Sequence, residues 1–268
     1  MVMTHNGPAR RLAAFGAARR LVGAWARAGA RASTAGLALA VSLAVVLGGL
    51  TAPAAAQSRN LAPGFTHIAR ADDILVLPVD VELYSLSAGG VAEPRADWTQ
   101  TAAGHMKQAL QARIDELGLR SRHADEAHAE EFAEQVSLHA AVAQSIAVHH
   151  AMGGTMALPT KREQLDWTFG DAMQGLQGRS GARYGLFVWV RDSYASAERK
   201  AAMVAMALLG IGLTGGLQVG YASLVDLQTG QVLWFNRLAR ASGDLREAEP
   251  AAESMKALLA GFPAAAQP

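Results

Sequence analysis

The sequence predicts an α/β protein of the α+β type, in which a mixed sheet of about four strands carries helices packed on it. Short apolar runs rich in β-branched and aromatic residues alternate with longer segments whose apolar residues recur every three or four positions. Glycine or proline stands at most boundaries between them. The expected order of elements is β-α-α-α-β-α-β-β-α, after an N-terminal signal peptide.

The predicted strands are four apolar segments. Residues 74–84 are continuously apolar at first and then alternate, and Pro78 indicates an edge or a bulge because proline cannot donate a hydrogen bond to a sheet. A second core strand is expected over 184–190. The segments 217–225 and 231–238 are expected to pair as a hairpin.

Five helices are predicted around these strands. Asp97 and Gln100 have the spacing of a capping box, and so do Thr160 and Glu163. We expect a loop over 85–96. The expected helices cover 97–117, 126–152, 160–177, 197–209 and 250–260.

The N-terminal 56 residues have the three parts of a secretory signal peptide. The six arginines before Ala56 have no acidic residue among them, the run 36–50 is apolar, and small residues precede Gln57. We expect cleavage after Ala56. A membrane anchor is disfavoured because a spanning helix needs about 20 apolar residues. Two Arg-Arg pairs leave open a twin-arginine signal or a translation start further along the chain, for example near Val22.

The chain after cleavage is expected to form one domain. Residues 57–71 are an irregular lead-in, 72–262 the single α/β domain, and 263–268 a disordered tail. Without the six N-terminal arginines, 18 Lys+Arg stand against 23 Asp+Glu, a balance unsuited to nucleic acid. The absence of cysteine excludes disulfides, thiolate zinc sites, thiol nucleophiles and a lipid-bearing cysteine.

Four residues are candidates for general acid–base catalysis. Asp80 and Glu82 project from one face of the first strand, and Asp97 and His105 follow on the first helix. The alternative, a solvated strand edge protected by charge, is favoured because no nucleophile stands beside a base.

No metal or cofactor is expected. His128, His139 and His150 recur every 11 residues, which aligns them on a helix but separates them by roughly 16 Å. They therefore indicate a buried or partner-facing helix stripe and not a metal site.

The segment 201–225 contains no charged residue. Its glycines favour a helix, a glycine-rich turn and a strand, with a transmembrane helix as the alternative. We expect this segment and the helix 126–152 to contact an envelope protein or a second copy of the chain. Peripheral membrane contact is a further alternative.

Two stretches carry a resemblance to known proteins. The segments 74–78, ILVLP, and 224–234, LVDLQTGQVLW, resemble periplasmic α/β domains of Gram-negative envelope proteins. These are domains of the curli-secretion-channel and penicillin-binding-protein-activator type and related lipoproteins. In the second stretch a structural turn is expected from Asp226, Thr229 and Gly230, with Trp234 packed on the sheet.

The resemblance implies an exported envelope protein and supplies no catalytic residues. The leading hypothesis is a non-enzymatic periplasmic protein that binds partners and assists assembly or transport. One alternative is a small exported hydrolase or ligand-binding enzyme that uses the Asp/Glu/His cluster. Another is an inner-membrane protein held by 201–225. The expected location is the periplasm, with association with the outer or inner membrane left open.

Overall fold

The computed structural model describes residues 59–124 and 130–266, which all belong to one compact unit. The predicted signal peptide, 1–56, and His128 lie outside the described residues. Within them are seven strands and five α-helices. The strands are β1 (Ile74–Val76), β2 (Asp80–Leu86), β3 (Ala92–Pro94), β4 (Ser121–His123), β5 (Tyr184–Ala195), β6 (Gln218–Asp226) and β7 (Val232–Arg240). The helices are α1 (Ala96–Glu116), α2 (Ala133–Ile146), α3 (Gln174–Ser180), α4 (Ala197–Ala207) and α5 (Ala248–Leu258).

The sheet is mixed and centred on β5. Along one edge of β5 run β1 and then β2, both parallel to it, and along the other edge runs β6, antiparallel. β7 extends the sheet beyond β6. β4 pairs in parallel with β1, and β3 pairs in antiparallel with β2. The predicted class, a mixed sheet with packed helices, is confirmed.

The strand count exceeds the four predicted because one expected strand is divided and two are very short. Ile74 pairs with Tyr184 but Asp80 pairs with Trp189, so the register slips by one residue around Pro78. This slip is the bulge that proline was expected to cause. β3 and β4 have three residues each, too few to show a periodicity.

Each face of the sheet covers a separate core. On one face, Val81 and Leu83 of β2 and Val190 of β5 are buried with the apolar sides of α1 and α5. On the other face, Phe187 is buried with α2 and the segment 165–176. The residues of β2 and β5 alternate between these faces, as the pleat requires.

The predicted helix over 160–177 is wrong except in its last turn. Residues 159–161 form a 3₁₀ turn, Arg162 and Glu163 have φ of 49° and 59°, and the α-helix begins only at Gln174. The reason is a long-range pairing: the N–H of Val232 donates to the carbonyl of Trp167 over 2.9 Å. Backbone bonded to a strand in this way cannot also complete helical turns.

Other element boundaries also differ from expectation. The expected loop over 85–96 contains the end of β2 and all of β3. The helix expected over 126–152 begins, within the described residues, at Ala133 and ends in a π-helical turn, Ala147–Met152. The tail was predicted to be disordered, but Ala266 donates its N–H to the carbonyl of Ile68 over 2.8 Å.

The lead-in segment is bonded to the sheet. The N–H of Ala62 donates to the carbonyl of Leu233 over 2.9 Å, and the N–H of Phe235 donates to the carbonyl of Asn60 over 2.9 Å. Residues 60–62 thus lie beside β7, and they position Arg59 next to the π-helical turn.

His139 is a fully buried histidine at the centre of the second core. Its Nε2 lies 2.9 Å from the hydroxyl of Ser223, and its ring stacks at 5.1 Å on Phe187 and at 6.3 Å on Phe169. Burial lowers the pKa of His139 to about 3, because the imidazolium would lose its hydration without gaining a carboxylate partner. The side chain is therefore neutral in the folded protein.

We expect this neutral histidine to make the folded protein less stable as the pH is lowered. Below pH 6.5 the unfolded chain binds a proton at His139, whereas the folded state binds it only near its lowered pKa of about 3. The free energy of unfolding attributable to His139 should decrease by about 2 kcal/mol between pH 7.5 and 5.0. Urea unfolding of the protein and of His139→Gln at both pH values measures it. Equal pH dependence in the two proteins would contradict the assignment.

Candidate functional site

The most distinctive surface lies between β5 and β6. Here α4 ends at Ala207 and a loop, 208–217, leads to Gln218. Five large apolar side chains in this region are exposed: Val204 (67%), Leu208 (85%), Leu209 (73%), Ile211 (45%) and Leu217 (52%). We call them the apolar projection.

The segment 201–225 is a helix end, a loop and a strand, as its glycines predicted. The alternative of a single transmembrane helix over these residues is wrong, because β6 pairs with β5 and β7 from Gln218 onward. Among residues 59–124 and 130–266, no helix combines the length and apolar character needed to cross a membrane.

A buried arginine holds the loop of the apolar projection in place. Arg199 is 8% exposed, and its Nε donates to the carbonyl of Thr214 over 2.9 Å. Its Nη1 donates to the carbonyl of Ser87 over 3.4 Å, which ties the loop to the β2–β3 hairpin. Arg199 therefore fixes the backbone under the exposed side chains.

The far end of the loop is fixed against β5. Ser193 Oγ accepts the N–H of Leu217 over 3.0 Å. A Cβ on Gly216 would lie 1.9 Å from the carbonyl oxygen of Ser193, so only glycine permits this approach. The loop therefore begins on the last turn of α4, where Leu209 and Ile211 donate their N–H groups to the carbonyl of Met206, and its second half is bonded to Arg199 and Ser193.

A buried polar network lies beneath the strands next to the loop. Asp192 Oδ2 accepts from the hydroxyl of Tyr194 and from Nε2 of Gln218, each over 2.6 Å. Gln218 Oε1 in turn accepts from Arg240 Nε over 2.8 Å and from Ser254 Oγ over 3.0 Å. Burial raises the pKa of Asp192, although hydrogen bonds from Tyr194 and Gln218 act in the opposite direction. The network joins β5, β6, β7 and α5.

One half of a sheet face is only partly covered. Burial is nearly complete in the cross-strand row Phe187–Ser223–Phe235 under α2. The next rows are half-buried or exposed, and their side chains include two stacked rings, Trp189 and Tyr221, with centroids 5.0 Å apart. We call this region the open face. It comprises Asp80, Glu82, Trp189, Arg191, Val219, Tyr221, Arg237 and Ala239.

Three of the four charges at the open face are paired with one another. Arg191 lies 2.7 Å from Asp80 and 3.3 Å from Glu82, and its guanidinium lies 4.6 Å from the ring centre of Trp189. Tyr84 donates its hydroxyl to Glu82 over 2.5 Å. The fourth charge, Arg237, lies in the same row as Trp189 and Tyr221, is exposed, and forms no ion pair with another described residue.

The structure does not bring the four candidate catalytic residues together. Asp80 and Glu82 lie at the open face, whereas Asp97 and His105 lie on α1, which packs on the opposite face. Asp97 is paired with Arg95 at 3.2 Å. A ring N–H at His105 Nδ1 lies 3.2 Å from the backbone carbonyl of Leu245. Catalytic use of any of the four stays a prediction.

The turn between β6 and β7 is built from the residues singled out in the sequence. Asp226 Oδ1 accepts two backbone N–H groups, including that of Thr229 over 3.0 Å. Gly230 has φ of 70° and donates its N–H to the carbonyl of Asp226 over 2.8 Å. Trp234 is fully buried and meets Phe262 edge to face at 4.9 Å. These residues shape the hairpin.

Sequence reasoning missed Arg191 and Arg199, which organise the open face and the loop. Arg191 was visible in the sequence as a charge two residues after Trp189, and therefore on the same face of its strand. The neighbouring strand bears Asp80 and Glu82. Arg199 carried no such signal, because its partners are backbone carbonyls. Across the described ranges no group of three or more acidic or histidine side chains is arranged to hold a metal ion.

We expect Arg199→Met to release the loop. Loss of its hydrogen bonds to two carbonyls should lower the free energy of unfolding by about 1–3 kcal/mol. Amide hydrogen exchange over 208–217 should accelerate at least about tenfold. The exposed neighbour Lys200 provides the control, Lys200→Met, which should leave exchange unchanged. Unchanged exchange in Arg199→Met would contradict the anchoring role.

No protein-family model matches the chain, and no curated protein matches it. Several solved structures resemble it. The PelC dodecamer from Paraburkholderia phytofirmans is 15% identical, with a TM-score of 0.37 over 76% of this chain and 94% of that chain. Lipoprotein GNA1162 from Neisseria meningitidis is 16% identical, with a TM-score of 0.28 over 64% and 81%. The LpoB C-terminal domain from Salmonella enterica is 12% identical, with a TM-score of 0.25 over 67% and 87%. With TM-scores below 0.5, these similarities assign no function to the chain.

Proposed function

We propose that this chain is an exported protein of the bacterial cell envelope that acts through protein–protein contact, and that its first partner is a second copy of itself. Its role is then structural: to assemble, and through assembly to assist a larger envelope complex. The apolar projection carries the proposal.

The apolar projection has a high free-energy cost in water. Leu208 and Leu209 are 85% and 73% exposed, and full burial of a leucine side chain stabilises by about 1.5–3 kcal/mol. Soluble monomers rarely keep a contiguous apolar patch of several large residues, and such patches mark contact sites. The hydrogen bonds of Arg199 and Ser193 reduce the ordering cost of binding because the loop is already fixed.

The open face is suited to receive the apolar projection of another copy. Trp189 and Tyr221 supply half-buried aromatic surface there. Arg191 pairs with both Asp80 and Glu82, so an uncharged segment that covers these three side chains leaves none of them without a partner. The segment 201–225 is uncharged throughout.

Contact between two different surfaces has a consequence for assembly. Each copy would offer its apolar projection to one neighbour and its open face to another. Such a heterologous contact builds a closed ring or an open filament. This geometry suits a scaffold in the envelope. The location itself is supported by the signal-peptide pattern over 1–56 and by the resemblance of 74–78 and 224–234 to periplasmic domains.

Two variants test the contact from its two sides. Leu208→Glu combined with Leu209→Glu disables the apolar projection, and Ala239→Glu places a charge on the exposed part of the open face. The double leucine variant should lose at least about 100-fold in association constant, because two buried leucines contribute about 3 kcal/mol or more. Ala239→Glu should also weaken association, because the contact would bury an added carboxylate. Mixed together, the variants should form heterodimers, since one keeps an intact face and the other an intact projection. Sedimentation velocity and native mass spectrometry distinguish these species.

A matched control lies elsewhere on the surface. Met156 is 53% exposed and belongs to neither surface, so Met156→Glu should assemble like the unmodified protein. A monomeric unmodified protein at high micromolar concentration would overturn the proposal. If that monomer instead co-sediments with phospholipid vesicles and the double glutamate variant does not, the apolar projection is a membrane contact.

A further inference from the structure

The segment that follows α2 carries three metal-ligating side chains close together in the chain. α2 continues into the π-helical turn, Ala147–Met152, and a 3₁₀ turn, Gly154–Met156, comes next. On these two turns lie His149, Met152 and Met156, which we call the His-Met cluster. π-helical turns are rare and occur frequently at functional sites. None of the three residues belongs to the apolar projection or to the open face.

Hydrogen bonds fold this segment back on itself. Gly153 and Gly154 have φ of 58° and 60°, a conformation that favours glycine, and they reverse the chain directly after Met152. The N–H of Met156 donates to the carbonyl of Gly153 over 3.1 Å. Nδ1 of His149 lies 2.8 Å from the carbonyl of Met156. The histidine and both methionines are therefore held within one closed turn of the chain.

The hydrogen bond to Met156 also decides which nitrogen of His149 can bind a ligand. A carbonyl only accepts, so Nδ1 carries the proton and Nε2 keeps a lone pair. Nε2 has no hydrogen-bond partner among the described residues, and it is not one of their buried unpartnered atoms, so a solute can reach it. Metal-binding histidines almost always donate their second ring N–H to a carbonyl, carboxylate or water, which fixes the tautomer and the orientation of the ring. His149 has this arrangement.

The two methionines present their thioethers to solvent. Met152 is 55% exposed and Met156 is 53% exposed, although methionine is ordinarily a buried residue. Outside the apolar projection, the only other large apolar side chain exposed to this degree in the described ranges is Val91. The methionine side chain is unbranched and has three rotatable bonds. An exposed thioether can therefore turn toward an ion on Nε2 of His149 without disturbing the core.

The donor atoms of the His-Met cluster select the kind of ion. Thioether sulfur is a soft ligand that favours copper(I), and imidazole also binds copper. All three donors are uncharged, so they give no charge compensation to zinc(II) or another divalent cation, whereas a single positive charge is easier to accommodate. Arg59 adds a positive charge beside the turn, because its Nη2 donates to the carbonyl of His150 over 3.4 Å. This charge further disfavours a divalent ion.

We propose that Nε2 of His149 and the sulfur atoms of Met152 and Met156 bind one copper(I) ion. The histidines that recur every 11 residues take no part in this site. His139 is fully buried, and Nε2 of His150 lies 2.7 Å from the carbonyl of Arg59. The site goes beyond the self-association proposed above and does not rest on it.

Anaerobic titration with copper(I) in competition with a chromogenic copper(I) chelator tests the site on the unmodified protein. We expect one ion per chain. His149→Gln, Met152→Leu and Met156→Leu should each weaken binding at least about tenfold. Leucine nearly keeps the volume of methionine and removes the sulfur, so the fold should persist. Met206→Leu and His67→Gln, which change a half-buried methionine and an exposed histidine elsewhere, should bind as the unmodified protein does. Absence of stoichiometric binding, or equal weakening in these two controls, would overturn the proposal.

Methionine methyl resonances identify the ligands directly. In protein labelled with ¹³C at these methyl groups, equimolar silver(I) in chloride-free buffer should shift the signals of Met152 and Met156 and leave that of Met206 in place. Silver(I) has the charge and softness of copper(I) and needs no reductant. Unchanged signals of Met152 and Met156 would overturn the proposal. Zinc(II) should shift neither signal, and zinc(II) binding as tight as that of copper(I) would overturn the selectivity.

Two variants separate this site from the self-association. The Leu208→Glu, Leu209→Glu variant should bind copper(I) with unchanged affinity even though it no longer assembles. Met156→Glu should assemble in the absence of copper and should bind copper(I) at least about tenfold more weakly than the unmodified protein. Loss of copper(I) binding in the double leucine variant would place the ion in the association surface and overturn the proposal.

Discussion

The hydrogen bonding of β5 along both of its edges is the constraint on which the remaining structure depends. Its residues pair in parallel with β1 and β2 on one side and in antiparallel with β6 on the other. Its side chains alternate between two cores, so that Val190 packs with α1 and α5 while Phe187 packs under His139. A residue inserted in β5 would exchange the two sets of side chains and expose both cores to the wrong neighbours.

The same strand prepares the molecular surface. Where β5 leaves the sheet, Ser193 fixes the end of the loop, and Asp192 anchors the network that joins three strands and α5. Burial destabilises the ionised form of Asp192, and the hydrogen bonds from Tyr194 and Gln218 offset part of that cost. These hydrogen bonds fix the backbone beneath the loop, so that its leucines stay exposed and do not fold back onto the protein. The pairing register of β5 therefore determines both the packing of the two cores and the position of the apolar projection.

The elements predicted well from the sequence are those decided by local pattern. The strands expected over 184–190, 217–225 and 231–238 are present because their own short apolar runs, rich in β-branched and aromatic residues, specify them. The helix expected over 160–177 fails because Trp167 bonds to Val232, far along the chain. Arg191 paired with Asp80 is likewise a product of strand pairing and not of spacing. The candidate surfaces were foreseen only as far as the uncharged segment 201–225, since exposure depends on the whole fold.

The bonding of the lead-in to β7 has a consequence for how copies of the chain can meet. Two segments occupy the outer side of this strand: residues 60–62 bond at Leu233 and Phe235, and residues 167–169 bond at Gly230 and Val232. Those backbone groups are no longer available to template another chain, so amyloid-like strand addition has no starting point there. The first half of β7 is thereby closed to strand addition, so contacts between copies there have to be made by side chains.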